Sequence, residues 1–254
     1  MSRSFQARVV ENTALLQDLF LLRMRPLGHV MYPEPGQFYM VEATRSTDPL
    51  LKRPLCVFDA ENEEICFLMR VRGKGTRILS GTPAGEIVNV VGPLGVPYPA
   101  SEKEPLIVAG GIGIASLFPL IKRLAKRTTV IYGARSAGEL VFREKIGQYA
   151  RKLFVATDDG SSGFKGTAVD LFGEVARSRS SVVVYACGPR MMLMEVSAIC
   201  ARSGFECYVS LEENMACGIG SCMGCSVKAK DGYRRVCKKG PVFRAEDIEW
   251  ESAR

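Results

Sequence analysis

The hydrophobic and polar positions of this chain change rhythm once, near residue 100. Before that point, short runs rich in β-branched and aromatic residues alternate with polar ones: Phe5–Val10, Leu19–Met24, Gln37–Glu42, Leu55–Asp59, Ile65–Val71 and Ile87–Val91. Runs of this length bounded by turn residues read as strands. Pro-Glu-Pro-Gly at 33–36, Glu-Asn-Glu-Glu at 61–64 and Thr-Pro-Ala-Gly at 82–85 punctuate them. Six strands at near-regular spacing predict a small closed all-β barrel over residues 1–98. The stretch from Pro93 to Pro105, with prolines at 93, 97, 99 and 105, reads as a linker.

Beyond the linker the pattern alternates between buried-strand runs and helical spacing. Leu106-Ile-Val-Ala-Gly predicts a strand and Ile114–Arg127 a helix. Strand Thr129–Gly133, helix Glu139–Tyr149 and strand Lys152–Thr157 follow. Helix Thr167–Arg177, strand Ser181–Cys187, helix Arg190–Arg202 and a last strand, Glu206–Ser210, complete the series. Such alternation predicts an α/β domain over residues 99–210, a parallel sheet covered on both faces. Sheets of this kind bind ligands at the carboxyl ends of their strands. Residues 211–254 form a third, small module.

Composition narrows the classes. With 47% apolar and 24% charged residues in 254, the chain is long enough to bury a core. No apolar run approaches the roughly 18 residues a membrane span needs, and the start lacks the apolar core of a secretory signal. A cytoplasmic, reducing setting is expected for the nine cysteines. The net charge is +7, densest at Lys228, Lys230, Arg234, Arg235, Lys238 and Lys239. Only Tyr233 interleaves these residues, which argues against a base-stacking nucleic-acid surface. They suit either the stabilisation of a nearby anionic centre or a solvated face. His29 is the only histidine, so a histidine-based dyad or triad is not expected.

The third module carries the most specific motif. Cys217, Cys222 and Cys225 stand in C-x4-C-x2-C spacing, with Cys237 twelve positions later. This is the plant-type ligand spacing of a [2Fe–2S] cluster, in which two irons take four thiolates. Gly218, Gly220 and Gly224 let the loop wrap closely and aim N–H groups at sulfur. Structural zinc also takes four cysteines, but usually as two C-x2-C knuckles, and one such pair is present here.

Other motifs stand where strands meet helices. Gly110-Gly111-Ile112-Gly113 follows the first strand of the α/β half, where glycines admit a pyrophosphate to the backbone. Cys187-Gly188-Pro189 closes a further strand, and its bland reading is a strand–helix turn with Pro in the first helical turn. Thr157-Asp158-Asp159-Gly160 ends a third strand. Its carboxylates either accept from ribose hydroxyls or cap the loop, and two acids there favour NAD over NADP. In the barrel half, Arg53-Pro54-Leu55-Cys56 opens a strand with a phosphate-pairing side chain. Gly73-Lys74-Gly75-Thr76 offers a flexible turn with backbone donors. Nicotinamide exchanges hydride, whereas a [2Fe–2S] cluster exchanges single electrons. A flavin converts between the two, so its presence follows from both ends of the chain.

These motifs, in this order, resemble the ferredoxin–NADP reductase superfamily. The chain is most similar there to electron-transfer subunits of NAD-linked, class 1B dihydroorotate dehydrogenases. Met215 to Cys225 and Val236 to Phe243 carry the resemblance most specifically, and it spans essentially the whole chain. It implies FAD contacts at Arg53, Pro54, Leu55, Cys56, Leu68, Met69, Arg70, Gly75 and Thr76. NAD(H) would meet Gly110, Gly111, Gly113, Asp158, Cys187, Gly188 and Pro189. Cys217, Cys222, Cys225 and Cys237 would ligate the cluster. The implied partner is an FMN-containing dihydroorotate dehydrogenase catalytic subunit, in a heterotetramer of two of each. Electrons would run from that FMN through the cluster and FAD to NAD+, in pyrimidine biosynthesis. The alternative on the same fold is the small subunit of an NADH-dependent ferredoxin:NADP oxidoreductase or sulfide dehydrogenase. In those relatives a carboxylate often replaces the first cluster cysteine, and Cys217 argues against them. Two positions depart from the family pattern. Cys56 stands where serine or threonine is common and donates a weaker hydrogen bond. Ser116 stands where proline is usual, predicting a looser turn.

Overall fold

The computed structural model describes residues 3–250. The alternating first third closes into a barrel of six antiparallel strands. These are β1 (Arg3–Leu16), β2 (Leu19–Pro26), β3 (Phe38–Val41), β4 (Arg53–Glu61), β5 (Glu64–Arg70) and β6 (Ile87–Leu94). Around the barrel they run β1-β2-β5-β4-β3-β6. Val88 and Val90 on β6 point inward to meet the fully buried Leu22, Tyr39, Val41 and Phe67. Each such burial contributes roughly 1.5–3 kcal/mol. Two features differ from the sequence pattern. The glycine-flanked turn at 73–76 opens a helix, α1 (Lys74–Ser80), because tertiary packing of the buried Gly75 and Leu79 overrides the weak helical propensity of glycine. The segment expected as linker begins inside β6 and then packs. Tyr98 is buried, and its N–H donates to Pro35 O at 2.9 Å.

The second half contributes β7 (Glu104–Gly110), α2 (Ile114–Leu124), β8 (Thr129–Ala134), α3 (Arg143–Tyr149) and β9 (Lys152–Thr157). A short β10 (Phe164–Lys165), α4 (Ala168–Ala176), β11 (Val182–Cys187), α5 (Arg190–Ser203) and β12 (Glu206–Ser210) follow. Every residue of β11 is buried, as expected of a strand covered on both faces. Thr167 caps α4 reciprocally with Asp170: Asp170 N donates to Thr167 Oγ1 (3.1 Å), and Asp170 Oδ2 accepts from Thr167 N (2.9 Å). The helix expected from Glu139 starts only at Arg143, after a 3-10 turn at Ala137–Glu139.

The C-terminal segment folds as a hairpin, β13 (Ser226–Ala229) and β14 (Gly232–Arg235), then the one-turn α6 (Val236–Lys239) and β15 (Val242–Arg244). β15 pairs antiparallel with β12, Val209 opposite Phe243. The sheet order is therefore β10-β9-β8-β7-β11-β12-β15, and β12 is not its last strand.

The two halves meet where α2 lies against β4. Phe58 of β4 stacks on Phe118 with centroids 4.8 Å apart and lies 4.6 Å from Phe142. Beside it Asp59, 6% exposed, accepts from Lys122 Nζ at 2.6 Å and Lys145 Nζ at 2.9 Å. Among the described residues no helix is long and apolar enough to cross a membrane.

Candidate functional site

Two clefts open between the barrel and the carboxyl edge of the parallel sheet. The smaller, about 220 Å³, lies over the barrel and is lined by Phe38, Pro54, Leu55, Cys56, Leu68, Met69, Arg70 and Thr76. Ser116, Cys187, Glu212 and Met215 close its other side. The larger, about 710 Å³, is lined by Gly110, Gly111, Gly113, Asp158, Gly188 and Pro189, together with Arg135 and Glu139. Arg70, Arg72, Ile112, Gly113 and Glu212 border both, so the two form one continuous groove.

The glycines explain how the groove stays open. Gly111 has φ +52° and nothing within 4 Å of where a Cβ would stand, leaving its peptide free to face a ligand. At Gly113 a Cβ would lie 2.3 Å from Cys187 O, so only glycine lets α2 start this close to the end of β11. Arg53 and Gly75 do not line either cleft. They touch each other at the edge of the smaller one, each next to a residue that lines it, Pro54 and Thr76: a Cβ on Gly75 would lie 2.0 Å from Arg53 Nε. The Thr76 hydroxyl accepts from Arg72 N (2.9 Å) and Gly73 N (3.2 Å), pinning the turn that presents Arg72. Asp159 serves its own loop, accepting from Ser161 N at 2.9 Å and Ser161 Oγ at 2.6 Å.

Beneath the groove is a buried polar floor. Tyr98 Oη and Ser116 Oγ share a hydrogen bond of 3.0 Å, so serine at 116 fixes this turn to Tyr98 rather than loosening it. Burial pushes the Cys187 thiol up to about 12 and the Cys56 thiol well above its usual value, with the nearby Glu212 charge adding to both. Both sulfurs are held neutral. Glu212 opens onto the cleft but is ringed by protein. Burial raises its carboxyl pKa against the opposing pull of Arg72. Sequence reasoning passed over Glu212, Arg135 and Glu139, and met Arg72 only as the start of the stretch Arg72 to Thr76 that shares the family pattern. Glu212 follows the end of β12 as the glycine turn follows β7, and that carboxyl-end position was the available signal.

The four C-terminal cysteines meet in two pairs. Cys222 lies against Cys217 and Cys237 against Cys225, each through its backbone N–H to the other's sulfur. Among the described residues no three His, Cys, Asp or Glu side chains converge on one point fit for a metal ion. Four thiols gathered in this way suit two irons with two thiolates each. The loop backbone serves sulfur: Ser221 N and Cys222 N reach Cys217 Sγ at 3.3 and 3.4 Å, and Cys237 N reaches Cys225 Sγ at 3.4 Å. Burial opposes ionisation of Cys217, but the N–H groups of Cys222, Ile219 and Ser221 overcome it and hold the thiol down at about 6, ready to ligate as thiolate. Gly218 (φ +69°) packs the loop against Met40 of β3. Of the basic residues nearby, Arg234 binds Asp231 and Asp247, Lys228 pairs with Glu249, and Arg235 donates to Gly220 O.

The family model for the iron–sulfur cluster binding domain of dihydroorotate dehydrogenase B matches residues 212–249. The "Dihydroorotate dehydrogenase B (NAD(+)), electron transfer subunit" of Desulforamulus reducens is 36% identical, covering 99% of this chain and 100% of the relative. The protein of the same name from Caldanaerobacter subterraneus subsp. tengcongensis is 37% identical over 98% of this chain and 99% of its own. The chain belongs to the family of dihydroorotate dehydrogenase B electron transfer subunits. A solved structure of an NADH-dependent reduced ferredoxin-NADP oxidoreductase, described for flavin-based electron bifurcation, aligns with TM-score 0.84 and 28% identity. It covers 96% of this chain and 90% of that one. The FAD/NAD binding domain of nitric oxide dioxygenase from Vibrio cholerae shares the fold at TM-score 0.66 and 18% identity, over 79% and 94% of the two chains. The chain thus carries the family's iron–sulfur module on a fold that binds FAD and NAD(H).

Proposed function

We propose that this oxidoreductase subunit carries electrons from the FMN of a dihydroorotate-oxidising partner subunit, through a [2Fe–2S] cluster and FAD, to NAD+ in pyrimidine biosynthesis. The assembly is two of each subunit, in a reducing cytoplasm. Residues 1–98 hold FAD, 99–210 hold NAD(H) and 211–254 hold the cluster. One observation carries the reading: Met215 lines the flavin cleft, and Cys217 stands two residues on, within about 7 Å along the chain. Phe38 in the same cleft and Met40 under the cluster loop share one strand.

When bound, the flavin supplies the exchange between hydride and single electrons. The chain's residues provide its surroundings. Arg53 and Arg70 would balance its pyrophosphate. Pro54 to Cys56, Leu68 and Met69 would exclude water from its ring. Gly75 gives Arg53 room, and Thr76 holds the turn. Gly110, Gly111 and Gly113 would receive the dinucleotide phosphates, with Asp158 near the ribose and Cys187 to Pro189 at the nicotinamide end. Cys217, Cys222, Cys225 and Cys237 would ligate iron. The small-subunit role in a ferredoxin:NADP oxidoreductase has less support, since the full-length relatives carry the dihydroorotate dehydrogenase name. The test is anaerobic co-expression with the dihydroorotate-oxidising subunit of the same genome. Co-purification with two irons, two sulfides and one FAD per chain, and dihydroorotate-dependent NAD+ reduction, is the expected result. An iron-free complex that reduces NAD+ normally refutes it.

A further inference from the structure

The corner of the larger cleft across β7 from β11 is built by the carboxyl ends of β8 and β9. Arg135 is the first residue past β8 and Asp158 the first past β9. Both line the cleft, with Glu139 and Asp18. The backbone fixes this corner. Asp158 N donates to Ala134 O and Asp159 N to Arg135 O, each at 3.2 Å. Ala137 N donates to Ser161 Oγ at 2.7 Å, and that hydroxyl donates to Asp159 Oδ1. Glu139 is itself placed by its N–H to Ser136 O (3.1 Å) and by Tyr132 Oη donating to its carbonyl (3.4 Å).

In dinucleotide-binding sheets this position reads the adenosine ribose. An acid there accepts the 2′-hydroxyl, whereas an arginine accommodates a 2′-phosphate. Arg135 by itself is of the second kind. Its Nη2, however, lies 2.5 Å from Glu139 Oε1, and the Glu139 side chain is only 20% exposed against 72% for Arg135. Asp18, itself paired with Arg70 at 3.2 Å, and Asp158 line the same corner and add negative charge around the guanidinium. The Glu139 carboxylate thus occupies one side of the exposed guanidinium, with further acids close by, and a phosphate dianion arriving there would compete with it.

We propose that Glu139 sets the choice of dinucleotide: by holding the Arg135 guanidinium it closes an anion site that would otherwise accept a 2′-phosphate, and reserves the corner for a free 2′-hydroxyl. The inference rests on the dinucleotide reading of the larger cleft and adds the residue that makes it selective. Calorimetric titration of the FAD-loaded chain with ADP-ribose and with its 2′-phosphate tests it. The unsubstituted chain should prefer ADP-ribose. Glu139→Gln should move the affinity ratio toward the 2′-phosphate about tenfold, the weight of one charge-assisted hydrogen bond. Arg135→Ala added to Glu139→Gln should abolish that gain. An unmoved ratio in Glu139→Gln, or a gain that survives loss of Arg135, overturns the role of Glu139 alone. Failure of the unsubstituted chain to bind ADP-ribose removes the dinucleotide reading as well.

Discussion

Asp59 is one side chain that joins two halves of the molecule, and its chemistry sets a pH limit. Burial opposes its ionisation, but hydrogen bonds and charge from Lys122 and Lys145 prevail and hold its carboxyl below the usual range. A carboxylate with a depressed folded value stabilises fully above its unfolded value, about 3.9. That stability is lost as pH falls through the lower folded value. Asp59→Asn leaves two lysines facing a neutral amide and should cost roughly 1–3 kcal/mol near pH 7, since Lys145 is partly solvated. The gap between variant and parent in urea melts should close below about pH 4. A gap independent of pH would exclude the ion pair as its cause. At the cluster, Cys225→Ser removes one thiolate from the more buried pair. Iron and sulfide should fall from two each per chain to near zero, roughly as a four-thiolate centre demands, while FAD remains and NADH still bleaches it. Iron retained at parent level would show that Cys225 is not a ligand.

At the level of elements, the strands and helices with strong periodicity were legible because local pattern and final burial agree. β6 alternates along its whole length, and β11 is apolar throughout. The misses share a cause: their structure comes from distant partners. The three residues of β15 become a strand only by pairing with β12. Helix α1 opens on Gly73-Lys74-Gly75, a composition that locally signals a turn. Its packing against Arg53 has a measurable consequence. A methyl group at Gly75 collides with the Arg53 guanidinium, which must swing away. Gly75→Ala is therefore expected to weaken FAD retention about tenfold, one charge-assisted contact, with little change in melting temperature of the apo chain. Equal flavin content after dialysis of both proteins would remove Arg53 from the FAD site.

For the molecule as a whole, the α2–β4 contact decides whether the two clefts stay aligned. Phe58 is 1% exposed between Phe118 and Phe142. Its replacement by alanine should cost about 3–5 kcal/mol and lower the melting temperature by roughly 10 °C in a chain of this size. A shift near zero by scanning calorimetry would mean the halves are joined elsewhere. The site was legible in the sequence to the extent that strand ends could be located. The glycine turn, Asp158 and the Cys187 turn all follow strands, and the cysteine spacing needs no fold to be recognised. Glu212, Arg135 and Glu139 were not legible, because ordinary charged residues acquire meaning only when two sheets bring them to one groove.

The antiparallel edge strand has a consequence for biogenesis. The nucleotide-binding layer is finished by residues that leave the ribosome only after all four thiols have emerged. A nascent chain therefore presents its metal-binding loop while the flank of β12 is still bare. The last thiol and the strand that completes the sheet emerge within a few residues of each other.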